Sequence, residues 1–121
     1  MTDSPELLRA RTKKFAVRIV RLFQALPHSD EARVLGKQLL RSGTSVAANY
    51  RAAGRARSRA EFAAKMGVVL GEIDESVFWL EMLVDSKIVR AERMQEIIQE
   101  SNELVKIFSA ARRSLRNGRE S

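Results

Sequence analysis

The chain has little of what covalent or metal chemistry needs: its 121 residues include no cysteine and one histidine. Without cysteine there is no disulfide framework and no cysteine-ligated metal site. The histidine, His28, follows Pro27 in a predicted turn, and the Glu-x-x-His pairs of a di-iron bundle are absent. No glycine-rich phosphate loop with a Lys-Ser/Thr ending occurs either. We therefore expect a non-enzymatic protein with no metal, no cofactor and no small-molecule substrate.

Long apolar runs are also missing, since none approaches the roughly 18 residues that span a bilayer. The first residues, MTDSPELLRARTKKF, are too polar and too acidic for a signal peptide. These features predict a cytoplasmic protein without a membrane partner. Glycine and proline are scarce, at 6 and 2 residues, and charged residues make up 31% of the chain. Such a composition is typical of a soluble helical domain.

Apolar residues recur at helical spacing in four segments, and most segments have a recognisable start. Pro5 suits a first helical turn, Ser29 is a good N-cap, and Ser58-Arg59-Ala60-Glu61 forms a capping box. The predicted helices span about residues 5–26, 30–53, 59–85 and 90–115. Four such helices with short connections predict an all-α fold. We expect one domain over residues 1–121, folded as an antiparallel up-down-up-down four-helix bundle.

A polar seam interrupts the apolar stripe of the second helix. Its members lie on one helical face because they recur at spacings of four, three and four residues: Gln38, Ser42, Ser45 and Asn49. Ser42 and Asn49 also fall on the core stripe, where an unpaired polar group costs about 1–3 kcal/mol. The seam therefore requires partners on a facing helix or a neighbouring subunit.

The third helix is apolar on two sides. Its predicted inner stripe is Phe62, Met66, Val69, Ile73, Val77, Leu80 and Val84. At about 100° per residue, a second apolar group falls on the opposite side of the helix. A second apolar face is usually covered, and self-association is the simplest covering; scattered surface hydrophobic residues are the alternative. Gly67 and Gly71 are spaced for tight helix packing. The candidate interface residues on the first and third helices are Val17, Val20, Val68, Phe78, Trp79 and Met82.

The net charge of +7 is unevenly distributed. Residues 1–59 carry 13 Lys or Arg and 4 Asp or Glu, residues 60–105 carry 4 and 10, and residues 106–121 carry 5 and 1. The basic segments suit a polyanion such as nucleic acid, although oppositely charged segments could instead pair with each other. The candidate phosphate-binding residues, around the second connection and along the first helix, are Arg41, Arg51, Arg55, Arg57, Arg59, Arg11, Lys14, Arg18 and Arg21. A hydrated, solubilising loop is the alternative for the connection.

The third helix carries one acidic cluster, formed by Glu72, Asp74 and Glu75. As Mg²⁺ ligands these carboxylates would need convergent oxygens and an anionic substrate. We favour a solvated face or an ion-pair partner for the basic first helix.

One stretch of the sequence resembles a known family. The segment from Gln38 to Asn49 and the following Ser58-Arg59-Ala60-Glu61-Phe62 resemble the bacterial four-helix bundle proteins encoded by intervening sequences of 23S ribosomal RNA genes. The resemblance covers about residues 10–112 and includes Glu72–Glu81. Many members carry Glu-Gly where this chain has Ala52 and Ala53. The positions that match the motif are Gln38, Arg41, Ser45, Asn49, Ser58, Glu61 and Phe62.

The resemblance implies a bundle that assembles into a homopentameric ring. A more distant similarity is to an accessory protein of diversity-generating retroelements, which works with a reverse transcriptase and its RNA. We therefore expect a homo-oligomer that binds nucleic acid, with RNA favoured because of the resemblance. The alternative is an interaction scaffold that docks a partner protein such as a polymerase or reverse transcriptase.

Overall fold

The computed structural model describes residues 4–118, and that range contains four α-helices and no strand. The helices are α1 Pro5–Ala25, α2 Asp30–Ala53, α3 Arg59–Asp85 and α4 Ala91–Gly118. The observed bounds differ from the predicted ones by no more than three residues, at the end of α4. Residues 1–3 and 119–121 of the predicted domain lie outside the described residues.

Serine side chains cap three of the helices, and two of these caps, Ser29 and Ser58, were predicted from the sequence. Ser29 Oγ accepts a hydrogen bond from Ala32 N at 3.3 Å, and Ser58 Oγ accepts one from Glu61 N at 3.0 Å. Ser4 Oγ plays the same role at the start of α1. The α2–α3 capping box has a variation, since the Glu61 carboxylate accepts from the backbone N–H of Arg57 rather than from that of Ser58.

The α3–α4 connection ends α3 with a Schellman motif. Ile88 N donates to Leu83 O at 3.0 Å, and Lys87 N donates to Val84 O at 2.9 Å, which is the paired pattern of this motif. Lys87 has φ of 62°, a left-handed conformation that glycine usually supplies. The chain therefore turns at Ser86 and Lys87, directly after α3.

Helices that follow each other in the chain pack together, and α1 approaches α4 only over a short length. This order is that of an up-down-up-down bundle, in which α1 and α3 occupy diagonal corners. Its core contains large, fully buried side chains from all four helices, among them Phe15, Leu39, Ile73 and Phe108.

The core face of α3 is rotated slightly from the predicted stripe. Ser76 and Leu83 are fully buried, whereas Phe62, Val77 and Val84 are half-buried. The buried positions of α3 alternate in steps of three and four residues, the seven-residue repeat of packed bundle helices. They are Met66, Val69, Ile73, Ser76, Leu80 and Leu83.

The polar seam has its partner on α3 at one position. Ser42 and Ser76 are both fully buried, and their hydroxyl oxygens lie 3.0 Å apart. The prediction for Asn49 is wrong, because Asn49 is half-buried and donates to Ser45 O at 2.9 Å within its own helix. Tyr50 takes the core position instead and packs edge-on against Phe108.

Candidate nucleic-acid interface

The antiparallel order brings three basic parts of the sequence to one end of the bundle: the start of α1, the α2–α3 connection and the end of α4. The start of α1 and the end of α2 line one groove, and contacts across this end join α2 and α3 to α4. The Tyr50 and Phe108 rings lie 5.4 Å apart between centroids, and Arg59 Nη2 lies 3.4 Å from Leu115 O. Segments that are far apart in the sequence therefore share one surface.

This end has a strong excess of positive charge. Residues 4–13, 47–65 and 110–117 contain 11 Lys or Arg and 2 Asp or Glu, whereas residues 19–36 and 79–97 at the opposite end contain 5 and 6. We call the nine exposed cations of the first group the basic end: Arg9, Lys13, Arg51, Arg55, Arg57, Arg59, Arg112, Arg113 and Arg116. An exposed cluster of this kind creates a field that attracts polyanions.

Two grooves cross the basic end. The α1–α2 groove has a volume of about 410 Å³ and is lined by three cations together with Thr12, Ala47 and Ala48. The α3–α4 groove has a volume of about 470 Å³ and also combines arginines with small apolar residues. Arginine side chains beside an apolar floor can hold a phosphate and a neighbouring flat group at the same time.

Four of the sequence-predicted arginines come together here: Arg51, Arg55, Arg57 and Arg59 are all exposed at the basic end. Arg57 makes one long ion pair, with Nε 4.0 Å from Glu61 Oε1. Among residues 4–118, no carboxylate lies within ion-pair distance of the other three.

Arg41 does not join this cluster. It lies midway along α2, where its guanidinium pairs with Glu75 and, at 3.3 Å, with Glu72 of α3. The hydrogen bond to Glu75 raises the pKa of Arg41. A guanidinium already neutralised by two carboxylates is a poor candidate for a phosphate contact.

The basic stripe of α1 also divides. Arg11 Nη2 lies 2.7 Å from Glu100 Oε1 and 3.2 Å from Glu103 Oε1, both on α4. The expectation that the acidic cluster of α3 would pair with α1 is therefore wrong, because the two helices are diagonal. Lys14 and Arg21 are exposed and Arg18 is half-buried.

The acidic cluster serves α2 instead. Glu75 accepts a hydrogen bond from Trp79 Nε1 at 2.9 Å, and this bond, with that from Arg41, lowers the pKa of Glu75. Asp74 is exposed and makes no ion pair among the described residues. Across residues 4–118, no group of three or more acidic or histidine side chains is arranged to hold a metal ion.

The outer face of α3 exposes apolar side chains. Phe78 is 50% exposed and Val68 is 45% exposed, and Phe78 packs edge-on against Trp79 with 4.8 Å between ring centroids. Trp79 and Met82 are half-buried. On α1, Val17 is exposed and Val20 is half-buried.

Sequence reasoning missed five cations of the basic end: Arg9, Lys13, Arg112, Arg113 and Arg116. The basic segment at residues 106–121 was the signal that could have identified the last three. A charge count along the chain does not show which segments meet, so the antiparallel order was also required.

The sequence matches the model of a known family over residues 8–110, under the description 23S rRNA-intervening sequence protein. The chain belongs to this family. Gln38, Arg41, Ser45 and Asn49, the residues that carry the resemblance, lie in this family member along the side of α2 that borders Glu72 and Glu75. Arg41 is hydrogen-bonded to Gln38 and to Glu72 and Glu75 of α3, whereas Asn49 is bonded to Ser45 within α2, so Arg41 links the motif to a second helix.

A solved structure is similar to this member of the 23S rRNA-intervening sequence family. It is a protein of unknown function from the S23 ribosomal protein family of Bacteroides thetaiotaomicron VPI-5482, 36% identical over 90% of this chain and 97% of that chain, with a TM-score of 0.84. Among curated proteins, none matches. No helix within residues 4–118 is long and apolar enough to cross a membrane.

Proposed function

We propose that this family member is a non-enzymatic, self-associating bundle that binds nucleic acid through the basic end. The observation that carries the proposal is the meeting of nine exposed cations from three segments on one surface. Within the described part of that end, the carboxylates are Glu6 and Glu61. RNA is the preferred ligand because the family's description refers to an intervening sequence of 23S rRNA.

The test is a titration with a structured RNA and a duplex DNA at several salt concentrations. Phosphate contacts release counterions, so the observed affinity must fall as salt rises, with a slope that counts the contacts. We expect the double variant Arg55→Gln/Arg59→Gln to weaken binding and to reduce the salt slope by about two.

The matched control is Arg90→Gln/Arg93→Gln, which removes the same charge from exposed positions at the opposite end. Equal losses for the two double variants would show that net charge, rather than the basic end, governs binding. Absence of binding at low salt, or binding that is indifferent to salt, would overturn the proposed function.

Self-association into a homopentameric ring is the second part of the proposal. Its support is the outer face of α3, where Val68 and Phe78 are about half exposed beside Gly71, together with the ring that the family resemblance implies. An apolar face of this kind is normally covered, and heterologous contacts between unlike faces close into rings when the rotation between copies permits. Several copies would also present several basic ends to one polyanion, which multiplies weak contacts.

Light scattering tests this part by comparing the solution mass with the 13.7 kDa of one chain. We expect the wild-type mass to be five times that of one chain and the mass of Phe78→Ser to be smaller. Val34→Ser is the control, because Val34 is 63% exposed on α2 and lies outside the proposed interface. A monomeric wild type at high concentration would contradict the ring.

The exposed face of α3 also supports an alternative function, a scaffold that docks a protein such as a polymerase or reverse transcriptase. Binding of a purified partner that survives nuclease treatment and is lost in Phe78→Ser would favour this alternative. Recovery of the chain alone would count against it.

A further inference from the structure

The α3–α4 groove, with a volume of about 470 Å³, differs from the α1–α2 groove in that all three of its cations are arginines. This volume falls in the range of about 300–1,000 Å³ that small-molecule sites occupy. Its cations come from both helices, and its other lining residues are three alanines and one leucine. The lining residues are Arg59, Ala60, Ala63, Ala64, Arg112, Leu115 and Arg116.

Two of these arginines reach across the groove from opposite sides. The Arg112 guanidinium of α4 lies over Gly67 of α3, since a Cβ built on that glycine would be 3.5 Å from Arg112 Cζ. Arg59 of α3 extends the other way, with Nη2 3.4 Å from Leu115 O. Each guanidinium has five N–H donors, so most of the donors around this groove remain for a ligand.

The groove contains no countercharge within the described part of the chain. None of its three arginines has a carboxylate within 4.0 Å, and the nearest acid along the chain, Glu61, is turned toward Arg57. Neighbouring like charges repel each other. An anion in the groove would relieve this repulsion, and guanidinium groups bind phosphate oxygens in bidentate fashion.

The three arginines and the apolar lining of the groove together indicate which class of anion fits it best. An internal phosphodiester carries one negative charge, whereas a terminal phosphate carries close to two at neutral pH, which suits three arginines better. The alanines and Leu115 offer an apolar surface for the sugar and base that follow such a phosphate. We propose that the α3–α4 groove binds the phosphate monoester of a nucleoside 5′-monophosphate, as a free nucleotide or as the 5′ end of an RNA.

The RNA form of this site rests on the nucleic-acid-binding function proposed above, and the free-nucleotide form does not. The first measurement is fluorescence anisotropy with two RNAs of one sequence, one with a 5′-phosphate and one with a 5′-hydroxyl. We expect the 5′-phosphate to strengthen binding by about tenfold, the contribution of one charge-assisted contact pair.

Arg112→Gln should abolish the preference for the 5′-phosphate, and Arg116→Gln should reduce it. Arg113→Gln is the matched control, because it removes the same charge from the next residue of α4, which does not line the groove. Arg112 and Arg113 are both exposed, so we expect all three variants to fold, which circular dichroism would verify. Equal loss of the preference in Arg112→Gln and Arg113→Gln would overturn the assignment to this groove.

The second measurement is calorimetric titration with AMP, adenosine and inorganic phosphate. Binding of AMP that adenosine and phosphate do not reproduce, and that Arg112→Gln removes, supports the free-nucleotide source. A preference for the 5′-phosphorylated RNA without AMP binding supports the RNA end. If AMP does not bind and the two RNAs bind equally well, the groove proposal fails, but the proposed nucleic-acid binding by the basic end stands. If AMP binds and neither RNA does, the groove proposal stands and the proposed nucleic-acid binding fails.

Discussion

Glycine occurs twice within α2 and twice within α3, and the two pairs have different surroundings. A Cβ on Gly36 would lie 2.6 Å from Leu26 Cδ1, and one on Gly43 would lie 2.8 Å from Ile19 Cγ1. A Cβ on Gly67 would be 3.5 Å from Arg112, and one on Gly71 would meet nothing within 4 Å. The α2 pair allows α1 to approach closely, whereas the α3 pair meets no tightly packed side chain, and Gly71 leaves backbone uncovered.

Gly67 and Gly71 do not serve tight packing between helices of the same chain. Within the protomer, Gly67 lies under a guanidinium and Gly71 faces open space. A glycine in a helix interior costs about 1 kcal/mol relative to alanine, and nothing in the protomer offsets that cost at Gly71. A second copy packed on this face would offset it, which is the arrangement we propose.

The largest effect on stability is expected for a substitution in the closely packed glycine pair of α2. Gly43→Ala places a methyl group 2.8 Å from Ile19 Cγ1, closer than such carbons normally approach, and Ile19 is fully buried. We expect the free energy of unfolding to fall by about 1–3 kcal/mol, measured by urea denaturation. Adding Ile19→Ala should make the double variant lose less than the sum of the two single losses; strict additivity would contradict the proposed clash.

The fold was predictable because helix starts and apolar spacing are local signals. Ser29 and Ser58 mark helix starts whatever the tertiary context, and the 3.6-residue period carries the remaining information. The misassignment of Asn49 arose because positions three and four residues after Val46 are both compatible with a buried stripe. Only the packing of Tyr50 against Phe108 decides between them.

The candidate site was predictable in part. The arginines of the α2–α3 connection are adjacent in the sequence, so their clustering could be seen directly. Arg41 and Arg11 were misassigned because their carboxylate partners lie 31 or more residues away on other helices. Which charges neutralise each other is a property of helix adjacency, and a single sequence does not contain it.

A smaller effect on stability, of opposite sign, is expected at Gly71, the exposed glycine of α3. Gly71→Ala should raise the free energy of unfolding by about 0.5–1 kcal/mol in dilute, dissociated protein, because the methyl group gains helix propensity without a clash. The same substitution should weaken self-association at high concentration. Gly67→Ala is the control on the same helix, because its Cβ would lie 3.5 Å from Arg112 of the same chain, which is an ordinary contact distance. A destabilised monomer would contradict the open surface, and unchanged association would remove Gly71 from the interface.

The smallest effect on stability is expected from the charge of Glu75, which lies on α3 close to Gly71. The pKa of Glu75 is lowered, first by the indole N–H of Trp79 and then by Arg41. Its ionised form therefore stabilises the fold above the ordinary glutamate pKa of about 4.3, and that stabilisation is lost as pH falls through the lower value in the folded protein. Because the side chain is 36% exposed, we expect less than about 1 kcal/mol.

Urea unfolding followed through Trp79, the one tryptophan of the chain, can measure this loss at pH 7 and below pH 4. Wild type should lose more stability than Glu75→Gln over that interval. Asp74→Asn should lose as much as wild type, because Asp74 is exposed and has no ion-pair partner among the described residues. If Glu75→Gln and wild type lose stability in parallel, the carboxylate does not stabilise the α2–α3 contact. A loss that instead grows with protein concentration would place Glu75 inside the interface with a second copy, where burial strengthens the pairs it makes with Arg41 and Trp79.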